Sequence, residues 1–279
     1  MLAQPPLLAF YLLAYALSWG VWLPLLLAAQ GVIAYQPPQW LHLLGSLGPA
    51  VAALIMARVC GGQMGWRDLW RRMVAWRVPG RWHAIAWLSP LVLFFISAWL
   101  GGWDSQTLHN FGRSAEYPEL PPGVYWAASI FFYGWGEETG WRGFALPYLQ
   151  ARQSALAATI KLSLFWALWH LPLFGFTPGL SQMGLATVLG WYLSLLTGAI
   201  LFTWLTNSTR GSILIAAIFH GTMDIVFVSP VAPVTVTVLG ALITLWGIAV
   251  LCLAGPRHLS QGGKIVIAPA QTAVVWIKR

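Results

Sequence analysis

Nearly all the ionisable side chains inside apolar sequence fall into three short strings. These are Glu137-Glu138-Thr139-Gly140-Trp141-Arg142-Gly143, Phe165-Trp166-Ala167-Leu168-Trp169-His170-Leu171-Pro172 and His220-Gly221-Thr222-Met223-Asp224. On a helix Glu138 and Arg142 lie one turn apart on one face, in the favourable acid-to-base order. Glu137 points about 100° away from them. One carboxylate can then be held ionised by arginine while its neighbour acts on a substrate, since burial beside other charges is how a carboxyl becomes a working base. His220 and Asp224 share a face at i, i+4, and an acid so placed can orient an imidazole and fix its tautomer. Each string also has a plainer explanation. An ion pair tying two helices accounts for Glu138 and Arg142 but leaves Glu137 unpaired. A lone histidine on an aromatic face, such as His170, is more often a core residue, and an intrahelical hydrogen bond would explain His220 with Asp224. Three such strings in one apolar chain point instead to function, because ionisable groups at membrane depth are costly.

The elements that must position these residues are membrane spans. Of 279 residues, 58% are hydrophobic and 8% charged, against about 25% charged in soluble domains, and mean hydropathy is +0.70. Too few charges are available to cover a water-soluble surface. The fold class expected is all-α: a polytopic membrane helix bundle of about eight transmembrane helices with a short interfacial amphipathic helix. The spans run roughly 6–29, 40–60, 84–102, 123–145, 155–174, 184–206, 211–229 and 232–254. Ser229 and Pro230 alone part the last two, so seven spans remain an alternative. The first is too long, and too poor in preceding basic residues, to be a cleaved signal peptide. A single transmembrane domain over 1–255 and a cytoplasmic tail over 256–279 follow, and the tail could pair as a hairpin or be disordered.

The net charge of +8 does not indicate nucleic acid once the basic residues are located. Arg58, Arg67, Arg71, Arg72, Arg77 and Arg81 gather around the second loop. Arg152, Lys161, Arg210, Arg257, Lys264, Lys278 and Arg279 fall on the same predicted side. Arg113 stands opposite, beside Asp104, Glu116 and Glu119. That asymmetry places both termini in the cytoplasm. With no eukaryotic targeting signal, a bacterial or archaeal plasma membrane is expected. Trp66, Leu69, Trp70 and Met73 at helical spacing, with arginines on the other face, form the interfacial anchor. Cys60 and Cys252 read as small apolar side chains, and the Asn207-Ser208-Thr209 sequon as chance in a cytoplasmic turn.

The three strings together resemble the CPBP family (CAAX proteases and bacteriocin-processing enzymes, also called Abi). Its pattern is Glu-Glu-x-x-x-Arg, then Phe-x-x-x-His, then His-x-x-x-Asn/Asp, on three membrane helices. Here these are Glu137, Glu138 and Arg142, running on into Trp141-Arg142-Gly143-Phe144; then His170; then His220 and Asp224. Gly48-Pro49-Ala50 and the Arg/Trp-rich 66–82 loop are also similar, so the resemblance covers about 40–230. One departure is Trp166, which stands where the family usually has Phe. The resemblance implies an intramembrane endopeptidase in which Glu137 and His170 activate water, His220 and Asp224 stabilise the oxyanion, and Glu138 and Arg142 hold the site together. Its partners would be membrane lipid and a membrane-associated peptide or lipidated-protein substrate, of CAAX-type or bacteriocin-related kind. Oligomeric state stays open.

A raised carboxylate base with imidazole donors needs no metal, and the Glu-Glu pair lacks the His-Glu-x-x-His spacing that makes zinc the default. A metal-independent site is therefore preferred. The alternative is zinc or another divalent metal held by Glu137, His170 and His220, with Glu138 as base. A proton-coupled transporter would also place acids and histidines in spans, whereas a membrane scaffold has no need of the Glu-Glu pair.

Overall fold

The computed structural model describes residues 5–103, 105–267 and 273–278; Asp104 and Arg279 of the charge argument lie outside them. Among these residues six helices are long and apolar enough to cross a membrane: Pro6–Ala29, Leu41–Met73, Gly80–Gly101, Ala155–Gly175, Leu185–Ser208 and Pro233–Ala254. The two other predicted segments carry Glu137/Glu138 and His220, and they occupy the interior. One is the apolar helix Ile213–Val228, whose shortness fits its central place. The other is a helical rod over 122–150 that changes pitch along its length. The chain is an integral membrane protein, an all-α polytopic bundle. Large apolar side chains such as Leu12, Trp99, Leu185, Leu245 and Leu253 face outward from it, as a lipid-facing surface requires.

The helices are α1 (Pro5–Ala29), α2 (Leu41–Gly45), α3 (Gly48–Met73), α4 (Gly80–Gly101) and α5 (Ser105–Asn110). The rod follows as α6 (Pro122–Ala128), a π-helical segment Ser129–Trp135, α7 (Gly136–Gly140), a second π-helical segment Trp141–Ala145, and α8 (Leu146–Gln150). Then come α9 (Ala155–Trp169), α10 (Pro178–Ser181), α11 (Leu185–Ser208), α12 (Ile213–Val228) and α13 (Pro233–Ala254). Ser154 and Ser212 cap α9 and α12 by accepting from Ala157 N and Ile215 N, the usual role of serine at a helix start. Pro172 prevents α9 from continuing past His170, and a short 3₁₀ turn over Leu171–Gly175 follows.

Glycine lets the rod sit at the centre. A Cβ on Gly140 would lie 2.5 Å from Pro49 Cβ and 2.7 Å from its carbonyl oxygen, and one on Gly221 would lie 2.6 Å from Ile130 Cα. Backbone of α3 and α12 thus approaches the rod where any side chain would intervene, and Ser129 Oγ donates to the Gly221 carbonyl across the contact.

The interfacial helix appears as the second limb of α3, set off by Gly62, whose φ of 57° falls in the left-handed region. Arg67 and Arg71 are exposed as expected, but Arg72 is turned inward. Its Nε donates to Asp68 Oδ2 at 2.9 Å and its Nη2 to the Gly143 carbonyl at 2.9 Å. Arg72 therefore ties the limb to the rod rather than facing headgroups, and Asp68 is a buried partner rather than a loop acid. The tail is a hairpin, β1 (Gly263–Ile267) antiparallel to β2 (Val274–Lys278). It is docked on the bundle. Gln150 donates to the Ile265 carbonyl, and Lys264 Nζ donates to the carbonyls of Gln150 and Gln153. Asn207 is buried, with its amide donating to Gln150 Oε1 and the His258 carbonyl, so the sequon is structural.

At the other end of the rod lies a polar cluster that the sequence pattern did not reveal. Glu116 Oε1 accepts from Gln39 Nε2 and from His42 Nδ1, each at 2.5 Å, and Tyr117 and Tyr133 complete the surround. Burial pushes the Glu116 carboxyl up, but the His42 ring and the bonds from His42, Gln39 and Tyr117 outweigh it, leaving the carboxyl below its ordinary value.

Two stability measurements on detergent-solubilised protein follow. Gly140→Ala should cost about 1–3 kcal/mol by overpacking, whereas Gly123→Ala, whose Cβ meets nothing within 4 Å, should leave the melting midpoint unchanged. Equal midpoints for both variants would show that the rod does not need the close approach. Because the folded Glu116 carboxyl is depressed, its contribution is fully present above the unfolded value of about 4.3 and disappears as pH falls through the lower folded value. Glu116→Gln should therefore melt below wild type at pH 7, and the gap should close in acid.

Candidate active site

Helix α7 is one and a half turns long and has π-helical turns on both sides. Such turns recur at functional sites because they re-aim side chains out of α-helical register. Glu137 and Glu138 are both buried on it. As the spacing predicts, Arg142 Nη1 donates to Glu138 Oε1 at 2.8 Å, and neither side chain has any exposure. The same oxygen accepts from His220 Nδ1 of α12 at 2.8 Å. The guanidinium is covered by the Trp166 ring at 4.4 Å and the Phe202 ring at 4.3 Å, in cation–π contact.

Glu138, rather than Asp224, orients the His220 imidazole. Asp224 Oδ2 lies 3.6 Å from His220 Nε2, an ion-pair separation beyond a hydrogen bond. Glu137 Oε1 lies 3.9 Å from the same nitrogen. His220 Nε2 thus neighbours two carboxylates. The other Glu137 oxygen, Oε2, accepts from the Trp166 indole Nε1–H at 2.6 Å.

His170 is the C-terminal cap of α9. Its Nδ1 lies 2.7 Å from the Trp166 carbonyl; a carbonyl only accepts, so Nδ1 carries the proton, and in the neutral ring Nε2 is left as a base. Trp166, Trp169 and Trp191 pack around the ring at centroid distances of 5.7, 5.0 and 5.5 Å. His170 is linked to Glu137 through Trp166, with its amide chain on one side and its indole on the other. The structure therefore joins Glu138, Arg142 and His220 by hydrogen bonds, sets Glu137 and Asp224 at 3.9 and 3.6 Å from His220 Nε2, and links His170 to Glu137 through Trp166.

Among the described residues no three His, Cys, Asp or Glu side chains converge to hold a metal ion. The Nδ1 atoms of both histidines and one Glu137 oxygen are already engaged within the protein.

Sequence reasoning passed over two features here. In the sequence Trp166 reads only as a substitution of one aromatic for another, and its indole N–H is the signal that distinguishes it from Phe. Tyr133, one turn before Glu137, connects the site's helix to His42 and Glu116, a link that no local spacing displays.

Comparison with known proteins bears on the same segment. A family model described as type II CAAX prenyl endopeptidase Rce1-like matches residues 119–226, a stretch that contains every residue of the three strings. CAAX prenyl protease 2 of Methanococcus maripaludis is 42% identical over 89 residues, which cover 30% of this chain. The chain spans about a third of that relative's length, 32%. Over residues 119–226 this chain is similar to type II CAAX prenyl endopeptidases, with all three motifs in order on helices of one bundle.

Proposed function

We propose that this protein is an intramembrane endopeptidase that hydrolyses a peptide bond in the C-terminal segment of a lipidated, CAAX-type substrate. The observation that carries the reading is the buried grouping of Glu137, Glu138, Arg142 and His220 within the segment matching the CAAX prenyl endopeptidase model. The relative's name points to the CAAX arm rather than to bacteriocin processing.

In this reading the Glu137 carboxylate, supported by His170, removes a proton from a water molecule. The resulting hydroxide oxygen attacks the scissile carbonyl carbon, and the developing oxyanion is met by N–H donation from His220. Collapse of the tetrahedral intermediate breaks the C–N bond, and the proton held on Glu137 passes to the leaving nitrogen, giving a carboxylic acid and an amine, which exchange a proton to leave as carboxylate and ammonium. Glu138 fixes His220 through Nδ1, Arg142 balances Glu138, and Asp224 lies beside Nε2. The reaction is metal-independent in this proposal, supported by the finding that among the described residues no three His, Cys, Asp or Glu side chains converge on one point. Both termini are assigned to the cytoplasmic face of a prokaryotic plasma membrane, on the basic residues gathered at the hairpin end of the bundle.

The test is release of a C-terminal fragment from a farnesylated peptide ending Cys-aliphatic-aliphatic-X, using protein reconstituted in liposomes. Glu137→Ala and His170→Ala should each slow cleavage by about 100-fold or more while the bundle still melts cooperatively. Cleavage at the wild-type rate by both variants would sink the assignment. Cleavage by the wild-type protein should also persist in chelator, with no stoichiometric zinc by elemental analysis; loss of activity restored by zinc would replace the metal-independent step.

A further inference from the structure

Trp166 touches more of the site than any residue assigned to it. Its indole N–H donates to Glu137 Oε2 at 2.6 Å. Its carbonyl accepts from His170 Nδ1 at 2.7 Å. Its ring lies 4.4 Å from the Arg142 guanidinium and 5.7 Å from the His220 ring. The side chain is buried, so the indole N–H needs a partner within the protein, and Glu137 is that partner.

We infer that Trp166 is a positioning residue whose indole N–H holds the Glu137 carboxylate in place beside His220. The inference rests on the hydrolytic reading of Glu137 given above.

A buried carboxylate with one strong donor takes its orientation from that donor. Glu137 lies 3.9 Å from His220 Nε2, too far for a hydrogen bond. Its direct neighbour Glu138 is committed to Arg142 and His220. The indole is therefore the hydrogen bond that selects one rotamer of Glu137. It binds Oε2 and leaves Oε1 on the side of His220 Nε2. A charge-assisted bond of this kind is short and directional. A group held this way needs no reorganisation when a substrate arrives. Phenylalanine at this position would keep the ring over Arg142 and the backbone bond to His170, but it would leave the Glu137 side chain without its donor.

Trp166→Phe isolates the N–H. In the farnesylated-peptide assay this variant should lose about 10- to 100-fold in kcat, with KM within about twofold and cooperative melting retained. Incorporating the benzothienyl analogue of tryptophan, which replaces N–H by sulfur at nearly constant shape, should reproduce the loss and guards against misfolding of the phenylalanine variant. Wild-type kcat in both, with Glu137→Ala inactive, would overturn this inference alone. Activity in Glu137→Ala would overturn the hydrolytic reading beneath it. The contact has its own readout, which needs no substrate. With ¹⁵N-labelled tryptophan, the indole resonance that vanishes in Trp166→Phe should move upfield in Glu137→Ala, and an unmoved resonance would overturn the inference whatever the activity shows.

Discussion

Glu138 accepts from Arg142 and His220 through a single oxygen, wholly removed from solvent, and the rest of the site is arranged around that contact. A bare carboxylate or guanidinium at this depth would cost far more than a small bundle can supply. Each charge is tolerable because the other is there, and the Trp166 and Phe202 faces cover the guanidinium where protein oxygen does not. Breaking such a pair leaves an unpaired buried ion, which makes it a strong constraint on structure even where its net contribution to stability is small. Arg142 and Glu138 come from the rod, His220 from α12 and Trp166 from α9, so neutralising one carboxylate fastens three helices to a common point.

That point can exist only if the helices come close. The rod meets α3 at Gly140 and α12 at Gly221 with backbone against backbone, in keeping with the use of small residues at membrane helix contacts, where packing replaces the hydrophobic effect. The π-helical turns on either side of α7 serve the same end by letting the acids and the arginine rotate out of a uniform helical register. Burial of polar groups and close packing are therefore one arrangement rather than two.

Both ends of the rod are secured by polar contacts of different kinds. At one end Arg72 donates to the Gly143 carbonyl, one residue beyond Arg142, and the terminal hairpin is bonded to Gln150. At the other, Tyr133 meets the His42–Glu116 pair. The acids that the mechanism uses sit between these fixtures, on the stretch whose position they define.

Membrane class, the order of the spans and the one-turn pairing of Glu138 with Arg142 were legible in the sequence. Composition reports the solvent directly, and relations within one helix follow from 3.6 residues per turn. The three strings could be recognised as one site for the same reason that they stood out, because charge inside apolar sequence is expensive. Relations between helices carry no such rule. Whether His220 turns Nδ1 to Glu138 or to Asp224, whether Arg72 faces headgroups or Gly143, and whether Glu116 is a loop acid or a buried partner of His42 all depend on which faces meet. Those choices were made by how the helices cross. The same crossing turned Trp166, one aromatic among 19 tryptophans, into the hydrogen-bond donor to Glu137.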